Sequence, residues 1–355
     1  MASGSEWCVS AERSFAMKDG LYAVITTIQS PTAAVDTLLD RLRPLGMPLI
    51  VAGDRKGPTR FEADGAVFLD LQAQLDSPFE LARLGPVGHY TRKNIAYLDA
   101  IRRGATCLYE TDDDNAPLPG WAVREETVPA RQASATGWVN VYRAFSTQRI
   151  WPRGLPLDAV VASCNEGVAL ADTRIKVRAP IQQGLANGSP DVDAVWRLVL
   201  DAPFDFDDGP SVVLAPGSWC PFNSQSTWWW PVAFPLLYLP SHCSFRMTDI
   251  WRSFIAQRCL WELGLGVVFH AAEVVQDRNE HDLMRDFNDE IPGYQRNRIL
   301  VQVLADTPLQ AGEGAVADNL MRCYEALVAQ GFFASEELDL VKAWLAGLEL
   351  ANTRA

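Results

Sequence analysis

The first part of the chain alternates between short apolar runs and amphipathic stretches. Residues 21–28 form a continuous apolar, β-branched run, which is typical of a strand buried on both faces of a parallel sheet. A helix is predicted next, because Ser30 and Pro31 supply an N-cap and an N1 proline and leucines then recur at helical spacing. A second strand, residues 48–52, runs into a polar loop at residues 53–58.

The same cycle of strand and helix then repeats. Residues 66–71 read as a strand, and residues 92–103 as a helix that ends at Gly104 in the left-handed conformation. Residues 106–111 form another strand, which leads directly into Asp112-Asp113-Asp114. This alternation predicts an α/β fold with a mixed, mostly parallel sheet flanked by helices, whose ligands bind beyond the carboxyl ends of the strands.

The remainder of the chain is less regular. Between residues 137 and 239 we expect strands and long loops, with strand candidates at residues 196–200 and 211–214. A helix is predicted at residues 248–263 and a strand at 264–269. After Pro292 the pattern is helical, with one helix at residues 316–329 and another that begins at an N-capping Ser335.

Charge and composition exclude several classes of protein. The 355 residues include 44 acids and 31 bases, which gives a net charge of −13 and disfavours nonspecific binding to nucleic acid or to anionic membranes. Seven scattered cysteines without a C-x-x-C pair indicate reduced thiols. No apolar run reaches the roughly 20 residues of a membrane helix, and the start of the chain has no apolar core of a secretory signal. We therefore expect a cytoplasmic protein with a flexible tail at residues 1–20.

The aspartate triplet is the first candidate for chemistry. Asp112, Asp113 and Asp114 follow an apolar strand, and three adjacent carboxylates are not easily ionised together without a cation or basic partners. Mg²⁺ or Mn²⁺ prefers one or two carboxylates and completes its shell with water and phosphate oxygens. The triplet therefore indicates a divalent metal site, and the alternative is a solvated acidic turn.

Basic residues follow the neighbouring strands. Arg55, Lys56 and Arg60 come after the second strand, and Arg92 with Lys93 opens a helix whose N-terminal amides favour an anion. If these groups converge with the aspartates, a nucleotide diphosphate is a plausible ligand.

Several short segments, taken together and in order, resemble one known family. They are residues 22–32 (YAVITTIQSPT), 53–56 (GDRK), 90–94 (YTRKN), 112–115 (DDDN), 151–154 (WPRG), 189–193 (SPDVD), 249–252 (DIWR) and 256–258 (AQR). This pattern resembles the STELLO-type glycosyltransferases over residues 21–290, and the aspartate triplet is also similar to that of reversibly glycosylated polypeptides and exostosin-like enzymes. The resemblance implies a Rossmann-like GT-A domain at residues 21–290, followed by a C-terminal helical segment at 291–355. It also implies a nucleotide-sugar donor, a UDP-sugar in the first place, and Mn²⁺ or Mg²⁺ as cofactor.

The resemblance also implies roles for individual residues. Asp112 and Asp114 match the D-x-D pair, so that Asp114 would bind the metal and Asp112 the metal or the donor ribose. Arg92 and Lys93 would face the diphosphate. The full set that we expect to bind the nucleotide sugar is Thr26, Thr27, Asp54, Arg55, Lys56, Arg92, Lys93, Asp112 and Asp113.

A histidine late in the chain often completes the metal shell of a GT-A site. His281 is the first candidate here, and His270 is its competitor at the end of a predicted strand. The alternative for both is an ordinary surface or core histidine.

Asp249 is the candidate general base. It begins the helix predicted at residues 248–263, and a helix N-terminus keeps a carboxylate ionised. In inverting enzymes of this fold a carboxylate at this place removes the proton of the acceptor hydroxyl. The alternative is that Asp249 only caps the helix.

The acceptor is expected to lie against aromatic residues. Three adjacent tryptophans, residues 228–230, offer faces on which a sugar ring can stack, and we expect Trp229, Trp230 and Arg252 to contact a carbohydrate or another hydroxyl acceptor. Together these features predict a metal-dependent, inverting glycosyltransferase that can form a homodimer. The alternatives are a scaffold of polysaccharide synthesis without catalysis, and a UDP-sugar mutase or nucleotidyltransferase.

Overall fold

A computed structural model describes residues 20–200, 202–277 and 282–353. The predicted tail at residues 1–20 lies outside this part of the chain except for Gly20. The strands of the described residues are β1 (Leu21–Thr26), β2 (Leu49–Ala52), β3 (Ala66–Leu69), β4 (Cys107–Thr111), β5 (Asn115–Pro117), β6 (Thr127–Ala133), β7 (Gly137–Trp138), β8 (Leu170–Arg178), β9 (Ile181–Asn187), β10 (Val212–Val213), β11 (Ser218–Trp219), β12 (Ser226–Trp229) and β13 (Val268–Gln276).

The α-helices of the same part of the chain surround these strands. They are α1 (Ala33–Leu42), α2 (Leu71–Leu75), α3 (Leu81–Leu84), α4 (Lys93–Arg102), α5 (Leu157–Glu166), α6 (Ala194–Val199), α7 (Thr248–Trp261), α8 (Leu283–Asp306), α9 (Val316–Ala329) and α10 (Glu337–Asn352). Short 3₁₀ turns connect several of them, among them Tyr90–Arg92 and Phe245–Met247.

One large mixed sheet forms the centre of the molecule. Its strand order is β3-β2-β1-β4-β12-β9-β13-β10-β6-β8, and β5 pairs with β13. The four strands β3, β2, β1 and β4 are parallel, whereas β12 runs antiparallel to both β4 and β9. The predicted α/β architecture, a mixed sheet flanked by helices, is confirmed.

The parallel register explains where the polar residues gather. Thr26 pairs with Ala52 at the ends of β1 and β2, and β4 lies beside β1. The chain therefore leaves all three strands at one edge, which brings Thr27, Asp54 and Asp112 to the same side of the sheet. Because β12 is antiparallel, its beginning reaches this edge too, with Ser226 opposite Thr111.

Both faces of β1 are covered, as its apolar run predicts. Ala23 and Ile25 pack in the same apolar cluster as the buried side of α1, while Val24 on the other face packs in a second cluster with residues of α4. Because both faces of this strand are covered, residues 21–25 read as one continuous hydrophobic run.

The C-terminal helices pack on the sheet side that α4 covers. Gly347 of α10 lies so close to α4 that a Cβ at this position would be 2.8 Å from a methyl group of Leu98. Helix α8 is continuous across residue 290, where the sequence places the end of the GT-A domain. The division into residues 21–290 and 291–355 stays a prediction.

Three local predictions, two helix caps and one strand, are wrong. Thr32, and not Ser30, is the N-cap of α1, since its hydroxyl accepts a hydrogen bond from the Val35 amide. Residues 196–199 belong to α6 and not to a strand. Asp193 caps that helix, because its side chain accepts a hydrogen bond from the Trp196 amide. The hydroxyl of Ser335 donates to the Glu336 carboxylate and does not cap α10.

The cysteines of the described residues are all free thiols, as predicted; Cys8 lies outside this part of the chain. No helix between residue 20 and residue 353, as far as the structure describes it, is long and apolar enough to cross a bilayer.

Candidate active site

A cavity of about 490 Å³ opens at the sheet edge where β1, β2 and β4 end. Two groups of charged residues line it. The aspartate group consists of Asp112, Asp113 and Asp114, and lies with Thr26, Thr27, Asp54 and Lys56. The arginine group consists of Arg153, Asp191, Arg197, Arg246 and Asp249.

Asp112 is held by a buried lysine. The Lys93 ammonium donates hydrogen bonds of 2.8 Å to Asp112 Oδ1 and 2.6 Å to the Thr111 carbonyl oxygen. Burial raises the pKa of Asp112 to about 7, with a further increase from the neighbouring Asp114, although the Lys93 charge acts in the opposite direction. Asp112 is therefore a carboxylate that changes its protonation near neutral pH.

The other two aspartates are fixed by neutral groups. The Thr27 hydroxyl donates to the Asp113 carboxylate, and the Thr32 hydroxyl donates to the Asp113 carbonyl. Burial raises the pKa of Asp113, and the Thr27 hydrogen bond opposes this shift. Asp114 Oδ2 accepts a 3.0 Å hydrogen bond from the Gln276 side chain. The triplet is thus a structured turn with three differently supported carboxyl groups.

Asp54 organises the loop after β2. Its carboxylate accepts hydrogen bonds from the backbone amides of Arg55, Gly88 and His89, at 2.6, 2.8 and 2.8 Å. Two separate loops are thereby joined at the wall of the cavity, close to Thr26 and Thr27. Lys56 lines this wall, whereas Arg55 is not among the lining residues.

Arg92 does not take the position that the sequence predicts. Its side chain is buried, and it donates 2.8 Å hydrogen bonds to Gln74 Oε1 and to the Ala82 carbonyl oxygen. Lys93 is also buried, and its ammonium group reaches the cavity wall through hydrogen bonds to Asp112 and to the Tyr90 hydroxyl. Neither Arg92 nor Lys93 lines the cavity. Both support the fold around the site, and the predicted direct contact with a diphosphate is wrong.

Asp249 lines the cavity in a buried ion-pair cluster. The Arg153 guanidinium donates to Asp249 at 3.0 and 3.1 Å, and to both oxygens of Asp191 at 2.7 and 2.9 Å. Burial alone would raise the pKa of Asp249, but the charge and hydrogen bonds of Arg153 outweigh it and lower the pKa. Asp249 is therefore an ionised carboxylate with a fixed orientation.

Sequence reasoning gave no role to several lining residues. Arg153, Asp191, Arg197, Arg246 and Phe245 belong to this wall. The signal was present in part, because Arg153 and Asp191 lie in the segments 151–154 and 189–193 that carry the family resemblance.

The tryptophans and Arg252 lie in the core. Trp228 and Trp229 have no exposed surface, and Trp230 is buried as well. The Trp229 indole and the Arg252 guanidinium both donate to the carboxylate of Glu110, at 3.0 and 2.9 Å. None of Trp229, Trp230 and Arg252 lines the cavity. These residues belong to the core, and the predicted contacts with an acceptor are wrong.

The two histidine candidates have different outcomes. His281 lies outside the described residues. His270 is buried, with its ring nitrogens 2.7 Å from the Ser211 hydroxyl and 2.9 Å from the Gln182 amide oxygen. Burial lowers the pKa of His270 far below its usual value. Its hydrogen bonds are those of a core histidine, and it does not line the cavity.

Comparisons with known proteins agree with the resemblance seen in the sequence. The family model of STELLO glycosyltransferases matches residues 246–353. The chain is 29% identical over 348 residues to the probable glycosyltransferase STELLO2 of Arabidopsis thaliana, and 28% identical over 356 residues to STELLO1 of the same plant. Each alignment covers 92% of this chain and 44% of the relative, so the chain spans less than half the length of these curated relatives.

Solved structures show a loose similarity. Glucosyl-3-phosphoglycerate synthase of Mycobacterium tuberculosis matches 81% of this chain and 80% of its own, with 10% identity and a TM-score of 0.34. A structure of that enzyme with Mn²⁺, UDP-glucose and phosphoglyceric acid matches 86% of this chain and 80% of its own, with 15% identity and the same TM-score.

The resemblance predicted from the sequence segments is thus confirmed independently, by the family model in the C-terminal third and by alignments over nearly the whole chain. Over 92% of its length, this chain is similar to the probable glycosyltransferases STELLO1 and STELLO2.

Proposed function

We propose that this protein is a metal-dependent glycosyltransferase that moves a sugar from a nucleotide-diphosphate sugar, a UDP-sugar in the first place, to an acceptor hydroxyl with inversion. One observation carries the proposal: the aspartate group at the end of β4 and the Arg153-bound carboxylate Asp249 line the same cavity. A donor with a metal-bound diphosphate needs the first feature, and an acceptor hydroxyl that must lose its proton needs the second.

The donor would lie along the ends of β1 and β2. Thr26, Thr27 and Asp54 line this part of the cavity and match the positions at which the family resemblance places the nucleoside. Lys56 is exposed on the same wall and would supply a positive charge for the diphosphate. The proposal thus assigns nucleoside contacts to the strand ends and one phosphate contact to the loop after β2.

The carboxylates fit a divalent ion with few protein ligands. Among the described residues, no three His, Cys, Asp or Glu side chains form a group that could hold a metal. Mg²⁺ and Mn²⁺ commonly bind through one or two carboxylates, with water and phosphate oxygens as the other ligands. Asp112 and Asp114 would hold the ion together with the donor, and a bound ion would stabilise the charge of the leaving diphosphate.

Asp249 would act as the general base. Because Arg153 keeps it ionised, it can accept the proton of the acceptor hydroxyl as that oxygen forms a bond to the sugar carbon. The bond between this carbon and the diphosphate oxygen breaks, and its electron pair leaves with the nucleotide. A carboxylate with a lowered pKa is a weak base, so we expect proton transfer late in this step, when the hydroxyl has become acidic.

The test combines donor binding with product analysis. We expect UDP-sugars to raise the melting temperature of the protein only when Mn²⁺ or Mg²⁺ is present, because a ligand of the folded state stabilises it by mass action. Asp114→Asn should remove this shift, whereas Asp40→Asn, an exposed substitution on α1, should keep it.

Three outcomes would contradict the proposal. A donor-induced shift that needs no metal, or that persists in Asp114→Asn, would overturn the metal assignment. Conversion of the nucleotide sugar without any acceptor would favour a mutase or nucleotidyltransferase. Absence of turnover and of slow donor hydrolysis would favour a scaffold.

A further inference from the structure

Phe245 is an aromatic side chain that the fold leaves open to the cavity. The residue is 55% exposed although it lines a concave wall. The rings of His89 and Tyr90 approach it at 6.3 and 5.9 Å between centroids, both at an interplanar angle of 71°. Neither ring stacks in parallel on Phe245, so these contacts orient the phenyl ring without covering it as a parallel partner would.

The backbone that carries Phe245 is attached to the candidate base. Arg153 Nη1 donates to the carbonyl oxygen of Arg246, the next residue, and also to Asp249 Oδ1 at 3.1 Å. One guanidinium therefore holds both the turn that presents the phenyl ring and the carboxylate. A ligand in contact with Phe245 would lie beside Asp249.

The same turn is fixed from the C-terminal helices. The carboxylate of Glu337, at the start of α10, accepts hydrogen bonds from the backbone amides of Ser241 and His242 at 3.1 and 2.8 Å. The Ser244 hydroxyl donates to the carbonyl oxygen of Asp289 in α8. Because the segment just before the turn is anchored at Ser241, His242 and Ser244, the position of Phe245 is set before any ligand arrives, which reduces the entropy cost of binding.

The charges around Phe245 favour a neutral ligand. Arg153 is already paired with Asp191 and Asp249, and Arg246 is paired with Glu290 at 2.8 Å. An anionic ligand would have to compete with these carboxylates. A hydroxyl-rich ligand can instead donate to Asp191 and Asp249 while their ion pairs remain.

We propose that this wall is the acceptor subsite and that it binds a neutral sugar ring, with the C–H face of the ring against Phe245 and a hydroxyl group at Asp249. Sugars combine an apolar face with outward hydroxyls, and the wall combines an open phenyl ring with fixed carboxylates. This inference rests on the proposed function, and it places the acceptor at Phe245 instead of at Trp229, Trp230 and Arg252.

The experiment measures binding of simple glycosides without turnover. Saturation-transfer NMR is recorded on the protein with UDP and Mg²⁺, using methyl glycosides of glucose, galactose, mannose and xylose as neutral probes and glycerol 3-phosphate as the anionic probe. We expect saturation of the ring protons of at least one glycoside. Phe245→Ala should weaken the binding of that glycoside at least tenfold, and Phe245→Tyr should keep it within about threefold, since a phenol ring offers the same kind of face.

Ile28→Ala is the matched control, because Ile28 is also an exposed apolar residue of the cavity but lies after β1. It should leave glycoside binding unchanged. Calorimetry of UDP with Mg²⁺ on the same samples separates the two proposals. If UDP binds but no glycoside does, if Phe245→Ala binds glycoside normally, or if glycerol 3-phosphate alone binds at this wall, the acceptor proposal is overturned. If UDP does not bind to the unsubstituted protein, the proposed function fails, and the acceptor proposal fails with it.

Discussion

The ammonium nitrogen of Lys93 lies 2.8 Å from Asp112 Oδ1 and 3.9 Å from Glu110 Oε1, in a position without solvent exposure. A single buried cation therefore stands between a carboxylate of the cavity and a carboxylate of the core. Glu110 in turn binds Arg252 and Trp229. The geometry of the aspartate group is thus coupled to the core through one side chain.

Replacement of Lys93 should destabilise the fold. Lys93→Met leaves Glu110 and Asp112 without this partner, and loss of one member of a buried pair typically costs about 3–5 kcal/mol. We expect a decrease of about 3 kcal/mol in the free energy of unfolding, measured by urea denaturation. Lys56→Met, at an exposed position of the cavity wall, should change stability by less than about 0.5 kcal/mol. Equal stability of the two variants would show that Lys93 is not needed as a counter-ion.

Donor binding should depend on pH near neutrality. Since the pKa of Asp112 is raised to about 7, this carboxyl group is mostly protonated at pH 6 and mostly ionised at pH 8, and a proton competes with a metal ion for the same oxygens. We expect the affinity for a UDP-sugar with Mg²⁺ to fall as the pH decreases below 7, by up to about tenfold per unit. Calorimetry at pH 6, 7 and 8 tests this expectation.

The matched variants are Asp112→Asn, which should bind more weakly and without the pH dependence, and Asp249→Asn, which should retain it.

In the absence of metal, the free energy of unfolding should decrease as the pH rises, which is the opposite of the trend in donor affinity. A raised pKa in the folded state means that the folded protein holds more protons than the unfolded chain between about pH 4 and 7. The contribution of Asp112 to stability is therefore present at low pH and is lost as the pH rises through 7.

Asp249 should affect transfer and not donor binding. We expect Asp249→Asn to reduce the rate of transfer by about 10²- to 10⁴-fold, the usual contribution of a general base, while the dissociation constant of the donor stays within twofold. Because Arg153 lowers the pKa of Asp249, this group should remain ionised at pH 6. With saturating donor and metal, protonation of Asp249 should not limit the rate between pH 6 and 8. Normal transfer by Asp249→Asn would eliminate it as the base.

Arg252 should behave as a core residue. Its guanidinium is buried against Glu110 at 2.9 Å and lies 5.0 Å from the ring centre of Trp229. Arg252→Met should lower the free energy of unfolding by about 3–5 kcal/mol, which thermal denaturation would detect as a lower melting temperature. Arg285→Met, whose side chain is 81% exposed in the unsubstituted protein, is the control. A selective increase in the acceptor KM without loss of stability would restore the acceptor role that the sequence predicts.

The elements around the aspartate group were predictable because their signals are local. The run that becomes β1, the Gly104 end of α4 and the aspartates after β4 each depend on a few adjacent residues. The inward position of Lys93 was not predictable in this way. Helix α4 is buried on nearly all sides, so Lys93, Asn94 and Asp99 are as inaccessible as its apolar residues, and no polar face marks the surface.

The arginine group could not be read from the sequence for another reason. Arg153, Asp191 and Asp249 come from three separate segments, and their contacts arise only from tertiary packing. The tryptophan triplet shows the same limit. As part of β12, Trp228 and Trp229 point to opposite faces, and each enters a different apolar cluster.

The direction of β12 determines how this site can vary. Because β12 runs against β4, residues that precede it meet residues that follow β4. Gln225 donates to Gln276 at 2.9 Å, and Gln276 donates to Asp114 at 3.0 Å. The side-chain amides of Gln225, just before β12, and of Gln276, at the end of β13, therefore set the orientation of the Asp114 carboxylate. A substitution at Gln225 or Gln276 in a related protein would change the hydrogen bonding of this carboxylate, while the aspartates and β4 stay unaltered.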